Sequence, residues 1–381
     1  MKTKSNAVII GGGINGAGMA YNLAKRGIKD VVLCEKNYLG SGASGRNGGG
    51  IRQQWTTKEN ILLANEGVKS YEKLAGELGW NLLFRQGGYL IPAFSEEQER
   101  QFKENIKLQN LLGVKTRYLT PEKAQQIVPM LNIEDMYGAA FNKSDGTLYP
   151  YAPLWGYARA ARRMGVEIYP RTEVVNIRLD NRKIRSVITN HGEIETSVVV
   201  NAAGAYSRNI AKMVGITLPN KPYRHEIMVS EPLKFFLKPM VISLTHGVYF
   251  SQSLRGEIVG GIGIPDEPSS HNNKGSTEFL ELFAKTLLRF IPSLRYVKLM
   301  RQWAGSYDVT PDANPIAGDV ESVEGYYHLN GFSGHGIMIS PALTRIMTDL
   351  IIDGKRDSLL ENMHLDRFVD GTVAKEAYVV G

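Results

Sequence analysis

The sequence predicts a chain of mixed α/β and α+β class, in which a discontinuous Rossmann-like nucleotide-binding domain carries a second, strand-rich domain. Three observations lead to this prediction. A glycine-rich turn joins two apolar strands at the very start, within residues 7–35. Elements typical of a nucleotide fold return near the end of the chain, and a block of alternating strands separates the two regions. The length of 381 residues suits two or three domains.

The first of these observations has the full pattern of a dinucleotide site. In Gly11-x-Gly13-x-x-Gly16, the first glycine permits a tight turn, the second lets backbone N–H groups approach a pyrophosphate, and the third lets the helix pack against the strand. The phosphates are then expected at the positive end of the helix. Glu35 lies about 20 residues further on, where a carboxylate accepts hydrogen bonds from an adenosine ribose. This carboxylate would repel the 2′-phosphate of NADP.

The elements that follow are predicted from apolar spacing. A second glycine-rich segment, LGSGASGRNGGGIR, occupies residues 39–52. Helices are predicted at 60–78, 96–112, 152–164 and 277–290, and another after Thr120, which precedes a proline at the first helical position. Strands are predicted at 88–91, 166–169, 173–179, 184–189 and 193–200, and alternating strands between 222 and 264. The chain closes with a strand and loop over 325–336 and a helix over 341–352.

The order of these elements predicts the domain boundaries. We expect the nucleotide-binding domain at 1–85, 146–220 and 295–381, and the second domain, which would receive the substrate, at 86–145 and 221–294.

Composition excludes several classes of function. The net charge of +7 is spread along the chain without an arginine-rich helix, which argues against nucleic acid as a partner. The single cysteine, Cys34, excludes an intramolecular disulfide and a cysteine-based metal site, and the histidines lack the spacing of metal ligands. No stretch of about 18 apolar residues occurs, so no transmembrane segment is predicted. We therefore expect a cytoplasmic protein without a metal.

Four separated motifs resemble one known family. The Gly11–Gly16 turn, the glycine-rich 40–52 segment, Asn201-Ala202-Ala203-Gly204 and the Gly331–Gly336 loop occur in this order. This arrangement resembles the D-amino-acid-oxidase-like FAD-dependent oxidoreductases, in the sarcosine oxidase and glycine oxidase branch. The likeness spans nearly the whole chain. Residues 50–54, 127–129 and 331–336 further resemble the β-subunits of multi-subunit L-proline dehydrogenases and sarcosine oxidases.

This resemblance implies an extended FAD along the nucleotide-binding domain, with the flavin at the floor of the substrate domain. The loop at 334–338 would direct backbone N–H groups at the flavin N1–C2=O edge, where reduced flavin develops negative charge. The residues implied to bind the cofactor are Gly11, Gly13, Ile14, Asn15, Gly16, Glu35, Lys36, Gly42, Ala43, Ser44, Arg46, Asn47, Gly48, Gly49, Gly50, Ile51, Val174, Ala203, Gly204, Gly305, Gly331, Gly334, His335, Gly336, Ile337 and Met338.

Departures from the family pattern refine this picture. Gly305 stands where monomeric sarcosine oxidases attach FAD through a cysteine, and Pro150 stands where heterotetrameric β-subunits attach FMN through a histidine. We therefore expect non-covalent FAD, and an FMN at a subunit interface remains open. Residues 257–264 lack the lysine that promotes reaction with oxygen in the oxidases, which favours a dehydrogenase.

Four residues are candidates for the reaction itself. Arg52 follows the glycines beside the flavin and aligns with a substrate-binding arginine of the family, and a guanidinium binds a carboxylate bidentately. Arg301 is a second candidate for that role. Tyr249 could close the pocket over the substrate, and His335 lies between two glycines of the flavin-facing loop. Met338 stands near a substrate-binding lysine of the monomeric oxidases, so part of that pocket is missing.

The resemblance therefore implies oxidation of an amino acid or amine, such as L-proline, sarcosine or glycine, by hydride transfer from the α-carbon to flavin N5. A second subunit would accept the electrons. Two alternatives stay open: a free-standing oxidase that produces peroxide, and a flavin-carrying subunit without substrate chemistry of its own. The Gly331–Gly336 loop and the second glycine segment disfavour an NAD-dependent reductase.

Overall fold

The computed structural model describes residues 1–370 and 375–379, and it confirms the mixed fold class. The helices are α1 (Ile14–Lys25), α2 (Lys58–Leu78), α3 (Glu96–Leu111), α4 (Pro121–Ile127), α5 (Tyr151–Arg163), α6 (Ser207–Lys212), α7 (Thr277–Phe290), α8 (Gly336–Asp353), α9 (Ser358–Glu361) and α10 (Arg367–Asp370). The strands are β1 (Ala7–Ile10), β2 (Val31–Cys34), β3 (Gly50–Ile51), β4 (Tyr89–Ala93), β5 (Arg117–Leu119), β6 (Gly138–Asn142), β7 (Gly146–Thr147), β8 (Glu167–Tyr169), β9 (Val174–Asp180), β10 (Lys183–Thr189), β11 (Gly192–Glu195), β12 (Val199–Asn201), β13 (Lys221–Pro232), β14 (Met240–Ser243), β15 (Val248–Gln252), β16 (Glu257–Ile262), β17 (Leu299–Val309), β18 (Ile316–Asp319) and β19 (Tyr326–Asn330).

A six-stranded sheet forms the nucleotide-type half of the molecule. Its strand order is β18-β19-β12-β1-β2-β8, and the pairs from β19 to β8 are parallel. The chain leaves β1 toward β2 on one side, whereas β12 pairs on the other side of β1. This change of direction opens a crevice at the carboxyl ends of the strands, which is where such sheets bind ligands.

Helix α1 packs between the sheet and helices α5 and α8. The close approach of α1 to the turn after β1 depends on Gly16, because a Cβ at this position would lie 1.9 Å from the carbonyl oxygen of Gly11. The helix is apolar on nearly all sides, with Ala17, Met19 and Leu23 fully buried. The third glycine of the motif thus performs the packing task that the sequence predicts for it.

A second sheet of eight strands covers the crevice region. Its order is β17-β13-β16-β15-β14-β4-β6-β5, and its pairs are antiparallel except for β4 with β14. Helix α7 packs Phe279 and Phe283 into a separate hydrophobic cluster with this sheet. The domain boundaries stay a prediction, although β17 pairs with β13 and so joins this sheet from the 295–381 segment.

Two predicted elements differ in the structure. The single strand expected at 193–200 is two strands: β11 pairs with β10 in a three-stranded sheet, and β12 pairs with β1 in the six-stranded one. The intervening Thr196 explains the break, because its hydroxyl accepts a hydrogen bond from the Val198 N–H, closing a local turn.

The last long helix also begins earlier than expected, since α8 starts at Gly336 and includes Pro341. A proline inside a helix deprives the carbonyl four residues before it of a donor. Here that carbonyl belongs to Ile337, and the Tyr71 hydroxyl donates to it at 2.7 Å. Within the described residues, no helix is long and apolar enough to cross a membrane.

Candidate functional site

A cavity of about 590 Å³ lies at the carboxyl ends of β1, β2 and β12. Helix α1 begins at its edge. The wall includes these predicted cofactor-binding residues: Gly11, Gly13, Ile14, Asn15, Glu35, Lys36, Gly42, Ala43, Ser44, Arg46, Asn47, Val174, Ala203, Gly204, Gly334, Gly336 and Ile337. Segments far apart in the sequence therefore meet around a single space of the size of a cofactor site.

The polar groups of this cavity suit a dinucleotide. The buried Glu35 carboxylate accepts hydrogen bonds from the Gly12 N–H at 2.7 Å and the Asn37 N–H at 2.8 Å, which orient it beside the cavity. The Ser44 hydroxyl accepts from the Ile14 N–H at 2.9 Å, at the first turn of α1. The Asn15 side-chain oxygen is buried without a hydrogen-bond partner among the described residues. These groups meet the requirements of a ribose and a pyrophosphate at a helix N-terminus.

The second glycine-rich segment forms one side of the cavity. Arg46 fastens it to the eight-stranded sheet, because its guanidinium donates to the carbonyls of Ser41 and Ala304, both at 2.8 Å. The Trp303 indole N–H donates back to the Arg46 carbonyl at 3.1 Å. A Cβ on Gly50 would lie 1.7 Å from the Tyr89 hydroxyl, so the glycine lets the segment approach β4.

A smaller cavity of about 60 Å³ adjoins the first one. The two share lining residues, including Asn47, Tyr307 and Gly334. The small cavity brings together these predicted residues: Gly48, Gly49, Gly50, Arg52, Tyr249, His335, Ile337 and Met338. Three of the four candidates for the reaction therefore border one space, next to the segment predicted to hold the flavin.

Arg52 is the buried cation of this space, with 2% of its surface exposed. Its guanidinium lies 3.7 Å from the Trp55 ring and donates to the carbonyl oxygens of Gln54, at 2.8 Å, and of Tyr378. No carboxylate of the described residues forms an ion pair with it. Burial lowers the pKa of Arg52, but an arginine stays protonated at neutral pH. A buried guanidinium with donors to spare and no anionic partner is suited to bind a carboxylate.

Three aromatic side chains from neighbouring strands cover the small cavity. His225 on β13 lies 3.0 Å from the Tyr249 hydroxyl, and its ring stacks on Tyr307 at 4.6 Å between centroids. Burial lowers the pKa of His225 to about 4, so the ring is neutral at pH 7. Tyr249 and Tyr307 line the cavity, and His225 supports them from behind.

His335 borders the same space from the N-terminus of α8. Its ring lies 4.7 Å from Trp55, and among the described residues neither ring nitrogen has a hydrogen-bond partner. Burial lowers the pKa of His335 to about 4, so the ring is neutral. The loop before it is fixed by Asp308, whose carboxylate accepts from the Gly331 N–H at 2.6 Å. Burial raises the pKa of Asp308 to about 7.

Some predicted residues lie outside both cavities. Gly16 and Ile51 are packed in the core, and a Cβ on Gly305 would approach Arg46 to 3.0 Å. Gly331 lies at the start of the loop that is predicted to face the flavin, and the Asp308 carboxylate accepts a hydrogen bond from its N–H. Arg301 is exposed on β17 and lines neither cavity. Its position gives no support to the prediction that it binds the substrate.

Sequence reasoning missed several residues of the small cavity. Tyr307 had a signal, because it lies two residues after Gly305 on a strand and so points to the same side of the sheet. The sequence contains no signal for Trp55, Tyr89 and Met240, because aromatic and apolar residues within or beside strands usually belong to the hydrophobic core. Among the residues the structure describes, no cluster of three or more His, Cys, Asp or Glu could hold a metal ion.

Comparison with known proteins agrees with this geometry. Residues 6–350 match the family model described as "DAO: FAD dependent oxidoreductase". The chain is 32% identical to the sarcosine oxidase β-subunit of Rhodobacter capsulatus over 386 aligned residues, covering 100% of this chain and 92% of that protein. The predicted resemblance is thereby confirmed.

Solved structures give the same result. The L-proline dehydrogenase of P. horikoshii superposes with a TM-score of 0.94 at 38% identity, covering 98% of this chain and 100% of that one. The glycine oxidase of Bacillus cereus superposes with a TM-score of 0.85 at 26% identity, covering 95% and 98%.

Proposed function

Since the chain belongs to the DAO family of FAD-dependent oxidoreductases, we propose that it oxidises a small primary or secondary amino acid by hydride transfer from the α-carbon to FAD. L-Proline, sarcosine and glycine are the candidate substrates, because the relatives named above are a proline dehydrogenase, a sarcosine oxidase subunit and a glycine oxidase. The observation that carries the proposal is Arg52, a buried guanidinium that forms no ion pair with any carboxylate of residues 1–370 and 375–379 and lies in the cavity that adjoins the cofactor site.

The family cofactor, FAD, fits the large cavity. Glu35 would bind the adenosine ribose, and the turn around Gly13 with the first turn of α1 would bind the pyrophosphate. The segment from Gly42 to Ile51 and the start of α8 would flank the flavin. When bound, FAD supplies a hydride acceptor at its N5 atom. Gly305 and Pro150 replace the residues that attach flavins covalently in relatives, which supports non-covalent binding.

The small cavity would orient the substrate. Arg52 binds the carboxylate through two N–H groups, which fixes the α-carbon relative to the cofactor site. Tyr249 and Tyr307 close the space from the side of the eight-stranded sheet and exclude water. His335, with both ring nitrogens free of partners among the described residues, is placed to contact the substrate or the flavin.

The burial of this cavity also favours the reactive form of the substrate. Hydride leaves the α-carbon of a neutral amine more readily than that of an ammonium ion, because the nitrogen lone pair stabilises the imine product. His225 and His335 are neutral because burial lowers the pKa of each to about 4, and the substrate carboxylate would offset the charge of Arg52. A dry environment lowers the pKa of a bound amine, so the substrate would give its proton to solvent on entering and bind as the neutral amine, without a dedicated base.

We infer that the electrons pass to a second subunit rather than to oxygen. Residues 257–264 carry no lysine or histidine, which supports a dehydrogenase, and the relative in Rhodobacter capsulatus is itself named as a subunit. An FMN at the subunit interface would be one carrier. The alternatives are an oxidase acting alone and a flavin-carrying subunit without substrate chemistry.

An anaerobic titration of the purified flavoprotein distinguishes these functions. L-Proline, sarcosine, glycine and several D-amino acids are added separately while flavin absorbance is followed, and each reduced sample is then opened to air. Bleaching by one amine followed by slow reoxidation supports the proposed dehydrogenase. Fast reoxidation with formation of peroxide identifies an oxidase. If no amine bleaches the flavin, even with the partner subunit present, the chain carries flavin without oxidising an amino acid.

A further inference from the structure

The segment 375–379 forms part of the wall of the small cavity. Val379 lines the cavity, and the Tyr378 carbonyl oxygen accepts a hydrogen bond from Arg52 Nη2. A backbone carbonyl is therefore hydrogen-bonded to the same guanidinium that, in the proposed function, binds the substrate carboxylate. Carboxylate oxygens and carbonyl oxygens are both acceptors, so they would compete for the same N–H groups.

Glu376 anchors this segment at the N-terminus of α2. Its buried carboxylate accepts hydrogen bonds from the backbone N–H and the hydroxyl of both Thr56 and Thr57, and from Asn60 Nδ2. Burial by itself would raise the pKa of Glu376, but these hydrogen bonds hold it below its ordinary value. The ionised carboxylate also faces the positive end of the helix.

A second anchor holds the Tyr378 side chain away from the cavity. Its hydroxyl accepts a hydrogen bond from Asn105 Nδ2 at 2.7 Å, and its ring packs edge-on against Phe102 on α3 at 5.7 Å. The segment itself has neither helix nor strand structure. By contrast, Tyr249 and Ile337 line the cavity from a central strand and a long helix. The segment is thus one of the parts of the wall that belong to no sheet or helix, together with the 47–49 and 333–335 loops.

The small cavity is narrow while the segment lies in its wall, with a volume of about 60 Å³. Withdrawal of the segment would enlarge this space and release Arg52 in one movement.

We propose that segment 375–379 is a displaceable gate of the substrate site, in which the Tyr378 carbonyl holds Arg52 until a carboxylate replaces it. The strength of the Glu376 anchor sets how often the gate is open. This inference rests on the role that the proposed function gives to Arg52. Loosening the anchor should therefore tighten binding, because apparent affinity scales with the population of the open state.

Binding of a carboxylate without an amine tests this gate. Cyclopentanecarboxylate carries a ring and a carboxylate but cannot be oxidised to an imine. Its Kd is measured by calorimetry on FAD-loaded wild type and on the variants Glu376→Gln and Thr57→Val, which weaken the anchor from opposite sides. Thr57→Val is the decisive variant, because Glu376→Gln also removes a negative charge that acts on Arg52. Glu361→Gln, at an exposed glutamate of α9, is the matched control.

We expect the Kd to fall about three- to tenfold in both anchor variants and to stay at the wild-type value in the control. An unchanged or higher Kd in the anchor variants would overturn the gate. The absence of binding to all four proteins would overturn it as well, since a released Arg52 should bind a carboxylate.

Hydrogen exchange of residues 375–379 provides a second measurement. The gate predicts faster exchange in the wild-type flavoprotein at saturating cyclopentanecarboxylate, because the bound ligand displaces the segment. Slower exchange would mean that the segment closes over the ligand, which contradicts competition for Arg52. Neither measurement depends on turnover, so failure of the gate is distinguishable from failure of the proposed amino acid oxidation.

Discussion

Replacement of Arg52 by methionine is the change from which we expect the largest loss of activity. Methionine keeps a long apolar side chain against Trp55 but removes the charge and the donors. A guanidinium has five N–H donors, and the hydrogen bonds to the Gln54 and Tyr378 carbonyls use two of them. When a carboxylate replaces the Tyr378 carbonyl, four N–H groups are available, and two of them bind it. Each charge-assisted hydrogen bond contributes about 1.5–3 kcal/mol, so kcat/KM should fall roughly 10²- to 10⁴-fold.

The assay follows flavin bleaching by the reactive amine without oxygen, together with the FAD content of the purified protein. Because Arg52 lies outside the wall of the large cavity, the variant should retain FAD. Arg345→Met, at an exposed arginine of α8, is the control for a general loss of positive charge. Arg301→Met distinguishes the two arginines predicted from the sequence. Wild-type kinetics in Arg52→Met would refute the assignment of the substrate carboxylate to this residue.

Three further changes test other parts of the structure. Tyr71→Phe removes the donor to the Ile337 carbonyl, so the free energy of unfolding should fall by about 1–3 kcal/mol. The control Tyr296→Phe, at an exposed site, should change the free energy of unfolding by less than about 0.5 kcal/mol. Equal effects of the two substitutions would contradict the role of the Tyr71 hydroxyl. Glu35→Ala should weaken FAD binding roughly 10- to 100-fold, as measured by flavin release on dilution, through loss of a charged acceptor. Burial raises the pKa of Asp308 from 3.8 to about 7, so the folded state retains a proton that the unfolded state loses. Stability that this group contributes below pH 4 is then lost as the pH rises to 7. Relative to Asp308→Asn, wild type should lose about 1.4 kcal/mol per pH unit in that window, and parallel denaturation profiles would contradict this.

The wall of the large cavity could be predicted from sequence because its requirements are local. The spacing of Gly11, Gly13 and Gly16 encodes a turn, a close approach and a helix contact within six residues. Glu35 follows at the end of the next strand. Helix α7 was likewise predicted with its observed bounds, because its apolar residues repeat at helical spacing; in the structure the Ser276 side chain caps its start.

The small cavity depends on contacts between distant segments, which no local pattern encodes. Arg52 could be predicted from its neighbours, but the Tyr378 carbonyl that it binds lies over 300 residues away in the chain. The start of α8 before Pro341 was missed because it depends on Tyr71, a residue of another helix. Arg301 shows the opposite limit of local patterns, because its position near a motif predicted a place in the site, whereas its side chain is exposed.

The most direct test of the account is single-turnover flavin reduction without oxygen, using α-deuterated and unlabelled forms of L-proline, sarcosine and glycine. If this site oxidises an amino acid by hydride transfer, one amine will bleach the flavin, and α-deuteration will slow the bleaching several-fold because the α C–H bond breaks in that step. A flavin that stays oxidised with every amine, in the presence of the partner subunit, would contradict the account.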